Sequence, residues 1–521
     1  MRRCVSVATG AAARIRPSVA VQVPVQAAVQ APLQGFRGKK AAQAPALQRL
    51  PEVRRRDEFR AHLAAGPGGP CDAQDLARSG ATFASAGLSD TEVKLLLDAG
   101  LATFLLHVES RIANYVGEGF YTIGPCGEEL LGAVGLALRP TDAVALHYRH
   151  LGTSLARALR SGKSTYNVLL DRARGYCVSS LDPVSGGMHC ALGGEPSDFV
   201  VTSTLASQAT PAVGRAAGLR LAKHLGLKHA LLPADAVSYV SLGDGSINNA
   251  HFLSALSLSE YMQHRGFQVP VVFGISDNDI SISLRGHGWA SKFFKQRLGM
   301  KLFEADGNDL ADVYQQTSLA VEHARTRRVP VAILFRGLSR RFGHAASDRQ
   351  DAYLSQAEIL AAEERNSLAG ACARAVAEGI ASFDELAGRF DELQSQVEEA
   401  FDQAAGEPKV TSAARCLELS APPLAKLTGT VRAPRMGDGT AALRGGEKPQ
   451  VMRVNMTRAL DEQLSLRPEL VYLGEDVRHG GYYKVTDGLF AKYKLRVADF
   501  PPDETSLLGV AMGYSQAGLL P

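Results

Sequence analysis

The sequence predicts an α/β fold, in which a parallel sheet carries helices on both faces and a second, smaller α/β region follows. Two apolar, β-branched runs at 237–242 and 269–275 are halted by residues typical of turns, Gly243 and Asp277. Between them, apolar side chains recur at helical spacing, and Asn248 is positioned to cap that helix. A strand, a helix and a strand in this order form a crossover that makes the two strands parallel. Their carboxyl ends therefore open on one edge, where ligands of such sheets bind.

The remaining elements extend this architecture along the chain. A third strand is predicted at 329–335, after a helix with a core-facing apolar stripe. A passage rich in Pro, Gly and Ala at 406–450 has no sustained periodicity and is predicted to be a linker. We therefore expect a polar extension at 51–90, a main α/β domain at 91–405 and the start of a second α/β domain at 451–521.

Composition fits a large enzyme and argues against two other functional classes. The chain has 521 residues, 45% of them hydrophobic, which is enough for two or more cored domains. No apolar run approaches the roughly 18 residues of a membrane span, so a membrane-embedded role is not expected. The net charge of +4 originates in residues 1–50, which contain eight Lys or Arg and no Asp or Glu. Without them the chain has 49 basic and 53 acidic side chains, which removes the electrostatic support for nucleic-acid binding.

The acid-free segment at 1–50 is typical of a mitochondrial transit peptide, with Arg2, Arg3, Arg14 and Arg16 within about half a helical wheel. Its low serine content argues against a plastid transit peptide. The alternative is a disordered tail without targeting meaning. Seven cysteines without paired spacing fit a reducing compartment and argue against structural zinc. We therefore expect the protein in the mitochondrial matrix.

An acid and an amide follow the two central predicted strands. Asp244 comes directly after the first strand, and Asn278 follows the second. Magnesium takes oxygen ligands and keeps phosphate oxygens among them, so this pair suits a magnesium diphosphate. Gly243 and Gly245 allow close approach of the backbone to such a ligand. A Gly-Asp-Gly turn alone is more often a plain turn, and Asn278 is what favours a site.

From about residue 115 to residue 521, the chain resembles the decarboxylating component of thiamine-diphosphate-dependent 2-oxoacid dehydrogenases. Gly243-Asp244-Gly245 and Asp277-Asn278 are similar to the thiamine motif of that family. The resemblance implies thiamine diphosphate and Mg²⁺ as cofactors, and a thiamine-diphosphate-binding fold. The metal ligands implied are Asp244, Asn278 and the carbonyl of Ile280, and residues 243–246, including Ser246, would bind the cofactor. Two features depart from the family pattern. Asp277 replaces the usual Asn, and the segment between Gly245 and Asp277 is longer than in the family.

Two further motifs resemble cofactor-binding segments of the family. Tyr148 and Arg149 would grip the diphosphate, a task that suits the two parallel hydrogen bonds of a guanidinium. The Ser203 to Gln208 loop resembles that of the branched-chain branch, which implies that Ser203 bonds the aminopyrimidine and Leu205 supports the thiamine. Taken alone, either segment fits ordinary surface or turn residues. His189 either lines the pocket or is a core histidine.

The segment at 340–348 resembles the phosphorylation loop of the family. His344 lies where that loop carries a histidine contacting cofactor and substrate, and an imidazole suits proton handling near neutral pH. A solvated histidine is the alternative. Ala345 replaces the serine that a regulatory kinase modifies in animal relatives, although Ser347 remains in the loop. We therefore expect the enzyme to escape inactivation at position 345.

The second region resembles the opening of the beta-type subunit, in the segments 473–477 and 480–489. Glu504 then lies where that subunit carries its catalytic glutamate, which protonates the aminopyrimidine ring. The alternative is that Asp503 caps a helix and Glu504 only favours its first turn. A full beta-type subunit would need some hundreds of further residues, so the expectation is either a fragment of a fused enzyme or a remainder supplied by a partner.

The function implied by the resemblance is oxidative decarboxylation of a branched-chain 2-oxoacid, with transfer of the acyl group to a lipoyl arm. The implied partners are a lipoyl-bearing acyltransferase component and a beta-type subunit, within a homo- or hetero-oligomer. Phe120 and Tyr121 could shape the acyl pocket. Alternatives are a pyruvate or acetoin dehydrogenase component, or an inactive truncated paralogue acting as an assembly partner.

Overall fold

The computed structural model describes residues 35–66, 80–120, 123–188, 190–193, 197–201, 204–227, 232–297, 299–420 and 450–521. The main sheet has five strands, all parallel, in the order β1-β2-β3-β7-β6. The strands are β1 Ala143–Ala145, β2 Ser238–Gly243, β3 Val271–Ser276, β4 Ile280–Ser281, β5 Leu284–Arg285, β6 Lys301–Asp306 and β7 Val331–Arg336. Strands β4 and β5 form a separate antiparallel hairpin directly after β3. The predicted parallel sheet is confirmed.

Helices cover both faces of this sheet and form two buried clusters. They are α1 Phe36–Ala42, α2 Ala44–Leu47, α3 Pro51–Ala65, α4 Asp90–Tyr115, α5 Gly132–Ala137, α6 Leu151–Arg160, α7 Thr165–Tyr176, α8 Ala209–His224, α9 Ala250–His264, α10 Trp289–Lys295, α11 Leu310–Arg327, α12 Gln356–Glu364, α13 Ser367–Ala377, α14 Phe383–Gly406 and α15 Ala413–Ser420. Successive residues of a strand belong to opposite clusters. Tyr239 and Val272 lie in one cluster, and the next residues, Val240 and Phe273, lie in the other. Alternation with burial on both sides is what a parallel sheet covered on both faces requires.

The predicted strands are displaced by one or two residues, and the predicted helix cap is wrong. Asn249 caps α9, because its side chain accepts the His251 N–H. The side chain of Asn248 instead accepts a hydrogen bond from the Trp289 indole at 2.9 Å. This contact joins residues 41 positions apart, so local spacing could not identify which asparagine caps the helix. No helix in the described part of the chain is long and apolar enough to cross a membrane.

The second region forms a small parallel pair of strands with three helices. These are α16 Met452–Leu466, β8 Tyr472–Gly474, α17 Leu489–Tyr493, β9 Val497–Asp499 and α18 Glu504–Gln516. The last helix packs on α8 through small residues. A Cβ at Gly513 would lie 2.3 Å from the Pro211 carbonyl oxygen, and one at Gly214 would lie 2.6 Å from the Val510 carbonyl oxygen. The two backbones are therefore in close contact, and α18 shares the apolar cluster of α8 and α9.

Gly513→Val is expected to force α18 away from α8, because backbone atoms occupy the space that the new side chain needs. Overpacking of this kind typically lowers the free energy of unfolding by about 1–3 kcal/mol. Chemical denaturation of the two proteins measures the difference. Met512→Val, on the exposed side of the same helix, is the matched control and should change stability little. Equal stability of the Gly513→Val and Met512→Val proteins would contradict this packing.

Candidate functional site

The two loops that carry Asp244 and Asn278 meet at the carboxyl edge of the sheet. Asp244 opens a short 3-10 helix, Asp244–Asn248, that follows β2. Asn278 lies between β3 and the β4-β5 hairpin. A Cβ at Gly245 would lie 2.5 Å from the Ser281 hydroxyl oxygen, so only glycine permits this approach of the two loops. The topology therefore brings these site residues together, as parallel pairing of β2 and β3 predicts.

The carboxyl of Asp244 lies in an electrostatic environment that favours a cation. Burial, followed by repulsion from Asp277 and Asp279, raises its pKa to about 6. Hydrogen bonds from backbone N–H groups, including that of Ile280, oppose this increase in the pKa only in part. Among the described residues, none forms an ion pair with Asp244. A divalent cation would relieve the repulsion between these carboxylates, which is the property a magnesium site needs.

The turn after β3 is held by its own side chains. Asn278 Oδ1 accepts the Ile280 N–H at 3.1 Å, and Asp277 Oδ1 accepts the Asp279 N–H at 3.1 Å. Asp279 has a left-handed backbone with φ of 58°, which Asp tolerates better than most residues. Asp277, the departure from the family pattern, thus makes a turn contact that an asparagine oxygen could also make. The carbonyl of Ile280 as a metal ligand stays a prediction.

Arg149 connects three segments that are distant in sequence. Its guanidinium donates to the Gly124 carbonyl, to the His344 carbonyl at 2.9 Å and to His344 Nδ1 at 3.0 Å. It also lies 5.5 Å from the centre of the Tyr148 ring. Arg149 is buried, and its hydrogen bonds to His344 attach it to the 340–348 loop. The predicted Tyr148-Arg149 pair and His344 therefore form one cluster.

His344 is neutral in this arrangement. Burial and the neighbouring Arg149 and Arg340 lower its pKa to about 4. A guanidinium can only donate, so Nδ1 of His344 accepts, and the ring proton is on Nε2. The backbone N–H of His344 donates to Asp348, which fixes the loop. In this structure His344 offers a hydrogen-bond donor at Nε2, and its pKa lies well below the neutral range assumed from the sequence.

Glu128, Ser276 and His150 form a buried hydrogen-bond network beside this cluster, which the sequence did not predict. The Ser276 hydroxyl donates to Glu128 at 2.9 Å and also lies 2.9 Å from His150 Nε2. Burial raises the pKa of Glu128 to about 7 and lowers that of His150 to about 3. The only sequence signal was the position of His150 one residue after Arg149. No local pattern links residues separated by 126 and 148 positions.

The other predicted cofactor contacts lie around these groups. Leu205 is exposed, and Gln208 at the end of its loop donates to the Ser241 carbonyl at 3.1 Å. Ser246 is buried, and Gly243 ends β2. Ser203, together with His189 and Tyr121, lies outside the described residues. Phe120 is exposed.

Glu504 is the first residue of α18 and is exposed. Asp503 caps this helix by accepting the Thr505 N–H at 3.2 Å, and this confirms the helix cap that the sequence offered as an alternative. The Ser506 hydroxyl lies 3.4 Å from the Ser254 carbonyl of α9, which attaches the start of α18 to the helix after Asp244. Within the described ranges, no residue hydrogen-bonds the Glu504 carboxylate. The Glu504 carboxylate is therefore exposed, and in the described part of the chain it has no hydrogen bond to Asp244 or His344.

Comparison with known proteins agrees with this geometry. A sequence model of the dehydrogenase E1 component family matches residues 118–413. The chain is 26% identical over 330 residues to the 2-oxoisovalerate dehydrogenase subunit alpha of Bacillus subtilis (strain 168), covering 62% of this chain and 93% of that protein. It is 29% identical over 241 residues to the mitochondrial 2-oxoisovalerate dehydrogenase subunit alpha 2 of Arabidopsis thaliana, covering 45% of this chain and 46% of that protein.

A second group of relatives consists of beta subunits. The chain is 46% identical over 68 residues to the pyruvate dehydrogenase E1 component subunit beta of Chlorokybus atmophyticus, which is 13% of this chain and 20% of that protein. It therefore spans about a fifth of the length of this beta-subunit relative. Likeness to both subunit types fits the order of motifs in the sequence. Because the family model covers more than half of the chain, the chain belongs to the dehydrogenase E1 component family, the thiamine-diphosphate-dependent 2-oxoacid dehydrogenases that its motifs resemble.

Proposed function

We propose that the protein catalyses oxidative decarboxylation of a branched-chain 2-oxoacid such as 3-methyl-2-oxobutanoate, and passes the acyl group to the lipoyl arm of an acyltransferase component. The observation that carries this proposal is the meeting of the Asp244 and Asn278 loops at the sheet edge. The likeness to 2-oxoisovalerate dehydrogenase alpha subunits supports the substrate class. Thiamine diphosphate and Mg²⁺ are the cofactors proposed for this site.

The residues at the sheet edge would hold these cofactors by complementary charge. Asp244 and Asn278 supply oxygen ligands for the metal ion, and the backbone at 243–246 approaches the diphosphate closely. Arg149 supplies the positive charge, and its bonds to His344 fix its direction. When bound, thiamine diphosphate supplies the carbanion chemistry that decarboxylation of a 2-oxoacid requires.

Two residues are proposed for proton transfer and orientation. His344 donates a hydrogen bond from Nε2, because Arg149 occupies Nδ1. Glu504 would exchange a proton with the aminopyrimidine ring of the cofactor. Decarboxylation with an artificial electron acceptor, run with and without Mg²⁺ and thiamine diphosphate, tests the function. Absence of Mg²⁺-dependent cofactor binding would instead favour the alternative of an inactive assembly partner.

Pyruvate is a second candidate substrate, and one observation favours it. The beta-subunit relatives are pyruvate dehydrogenase components, at 46% identity over 68 residues in Chlorokybus atmophyticus. Rates on 3-methyl-2-oxobutanoate, pyruvate and acetoin, compared as kcat/KM, decide between them. A higher kcat/KM for pyruvate would replace the branched-chain assignment while leaving the site unchanged.

The proposed location is the mitochondrial matrix, and the proposed partners are those of a multienzyme complex. The Arabidopsis relative is named as mitochondrial. A beta-type subunit, or further beta-type sequence in the natural polypeptide, would complete the region that begins at 451. The mass of the natural polypeptide in isolated mitochondria, followed by sedimentation of the assembly, tests both proposals.

Resistance to the regulatory kinase is expected of the wild-type enzyme, because Ala345 has no hydroxyl to accept a phosphate. Incubation with the mitochondrial kinase and ATP should leave decarboxylation unchanged, and Ala345→Ser should make the enzyme sensitive. Ser347 is exposed in the same loop, so Ser347→Ala is the control for phosphorylation there. Inactivation of the wild-type enzyme with phosphate in residues 340–348 would contradict the prediction.

A further inference from the structure

The acid-free amino-terminal segment continues into residues that are part of the folded core. Helices α1 and α2 lie within residues 1–50, the range that sequence composition assigns to a leader. Phe36 and Leu47 are 4% and 5% exposed and belong to the same buried cluster as α4 and α14. The Phe36 ring lies 6.4 Å from the Phe401 ring of α14. Burial of two large apolar side chains identifies this stretch as integral to the domain.

The basic residues of α1 have carboxylate partners on the domain. Lys40 Nζ lies 2.6 Å from Glu109 on α4, and Arg37 lies 3.1 Å from Asp402 on α14. Lys39 pairs with Glu118. Four of the eight Lys or Arg residues in 1–50 lie after Gly35, and three of these four are paired in this way. The basic residues of α1 are thus matched by carboxylates of α4, of α14 and of the segment that follows α4.

The ion pair of Lys40 with Glu109 is the most important of these contacts, because Glu109 is buried. Its side chain is 3% exposed, and burial raises its pKa, while Lys40 opposes that increase. A buried carboxylate that loses its cation is strongly unfavourable in a folded protein. Removal of residues up to 50 would take away Lys40, Phe36 and Leu47 together. The folded domain therefore needs the segment 36–47.

We propose that the targeting leader is confined to residues 1–34 and is removed on the amino-terminal side of Phe36, so that the segment 36–47 stays in the mature enzyme as a clamp on α4 and α14. The proposal rests on the proposed mitochondrial location. A processing peptidase hydrolyses one peptide bond: water adds across it, giving a carboxylate on the leader and an amino group on the mature chain. Arg2, Arg3, Arg14 and Arg16 all lie in the removed part.

Substitutions in the full-length chain test the clamp. Lys40→Met is expected to lower Tm by roughly 3 °C or more, because it leaves Glu109 buried without its cation. Adding Glu109→Gln should recover part of the loss, since it removes the stranded charge. Arg49→Met is the matched control, because Arg49 is exposed two residues after this segment and has no ion pair in the described part of the chain. Equal Tm values for the Lys40→Met and Arg49→Met proteins would overturn the clamp.

Import of the full-length chain into isolated mitochondria tests the boundary. Mass spectrometry of the protected product should find an amino terminus at Phe36 or before it, beyond the cluster of four arginines. An amino terminus at Arg37 or later, an uncut imported chain, or failure to import would each overturn the proposal. Decarboxylase activity is not the readout, so a negative activity assay would count against the proposed reaction and leave the boundary unaffected.

Discussion

Asp244→Asn is expected to abolish Mg²⁺-dependent binding of thiamine diphosphate, because it removes the only anionic oxygen among the proposed metal ligands. Loss of a charged ligand from a hard-cation site should weaken cofactor binding by roughly a hundredfold or more, on the scale of a buried charge pair. Titration calorimetry with thiamine diphosphate at fixed Mg²⁺ measures the change. Asp279→Asn is the matched control: it lies in the facing turn, and asparagine tolerates its left-handed backbone. Equal affinity in both variants would exclude Asp244 as a ligand.

The same substitution should stabilise the cofactor-free protein. The pKa of Asp244 is raised to about 6 from 3.8, so the folded state holds its proton more tightly than the unfolded state. Below the unfolded pKa both states are protonated and the carboxyl has no net effect. As the pH rises toward the folded pKa, the wild type loses up to about 3 kcal/mol of stability that Asp244→Asn retains. The Tm difference between the two proteins should therefore be near zero below pH ~4 and largest above pH ~6. A constant difference would contradict the raised pKa.

Glu504→Gln is expected to retain cofactor binding and lose turnover. Glutamine keeps the size of the side chain, but its amide cannot act as an acid or base toward the aminopyrimidine ring, so kcat should fall roughly 10²–10⁴-fold. Single-turnover decarboxylation and cofactor titration, measured on the same preparation, separate the two effects. Glu462→Gln, an exposed carboxylate on α16, serves as the control. Normal turnover in the Glu504→Gln protein would remove this residue from the mechanism, and loss of binding would indicate a structural role.

The sheet and the meeting of the Asp244 and Asn278 loops at its edge could be predicted, because they follow from short-range patterns and topology. Apolar runs that end at Gly243 and Asp277 identify central strands, and parallel pairing then places Asp244 and Asn278 at one edge. Local sequence therefore identifies these strands to within one or two residues. The identity of the α9 cap was predicted wrongly, because a distant tryptophan competes for Asn248.

The electrostatics of the site could not be predicted, because they depend on long-range contacts. The contact of Arg149 with His344 joins residues 195 positions apart and determines which ring nitrogen carries the proton. Arg215 is a further case: it is fully buried on α8 and donates to Gln516 of α18 at 2.7 Å, and burial lowers its pKa to about 9. Arginine is rarely fully buried, so its residue type alone does not indicate this position. The packing of α18 on α8 contributes to this burial, and so does the Phe199 ring, whose centre lies 4.1 Å from the guanidinium.

That packing has a consequence for how the two regions associate. Helices α8 and α18 belong to one polypeptide, so their contact forms within a molecule. Two separate subunits joined by the same surfaces would dissociate on dilution, because bimolecular association follows mass action. Covalent connection replaces protein concentration by an effective concentration that the connecting segment sets. The start of α18, and with it Glu504, therefore keeps its place on α8 and α9 whatever the abundance of the enzyme in the cell.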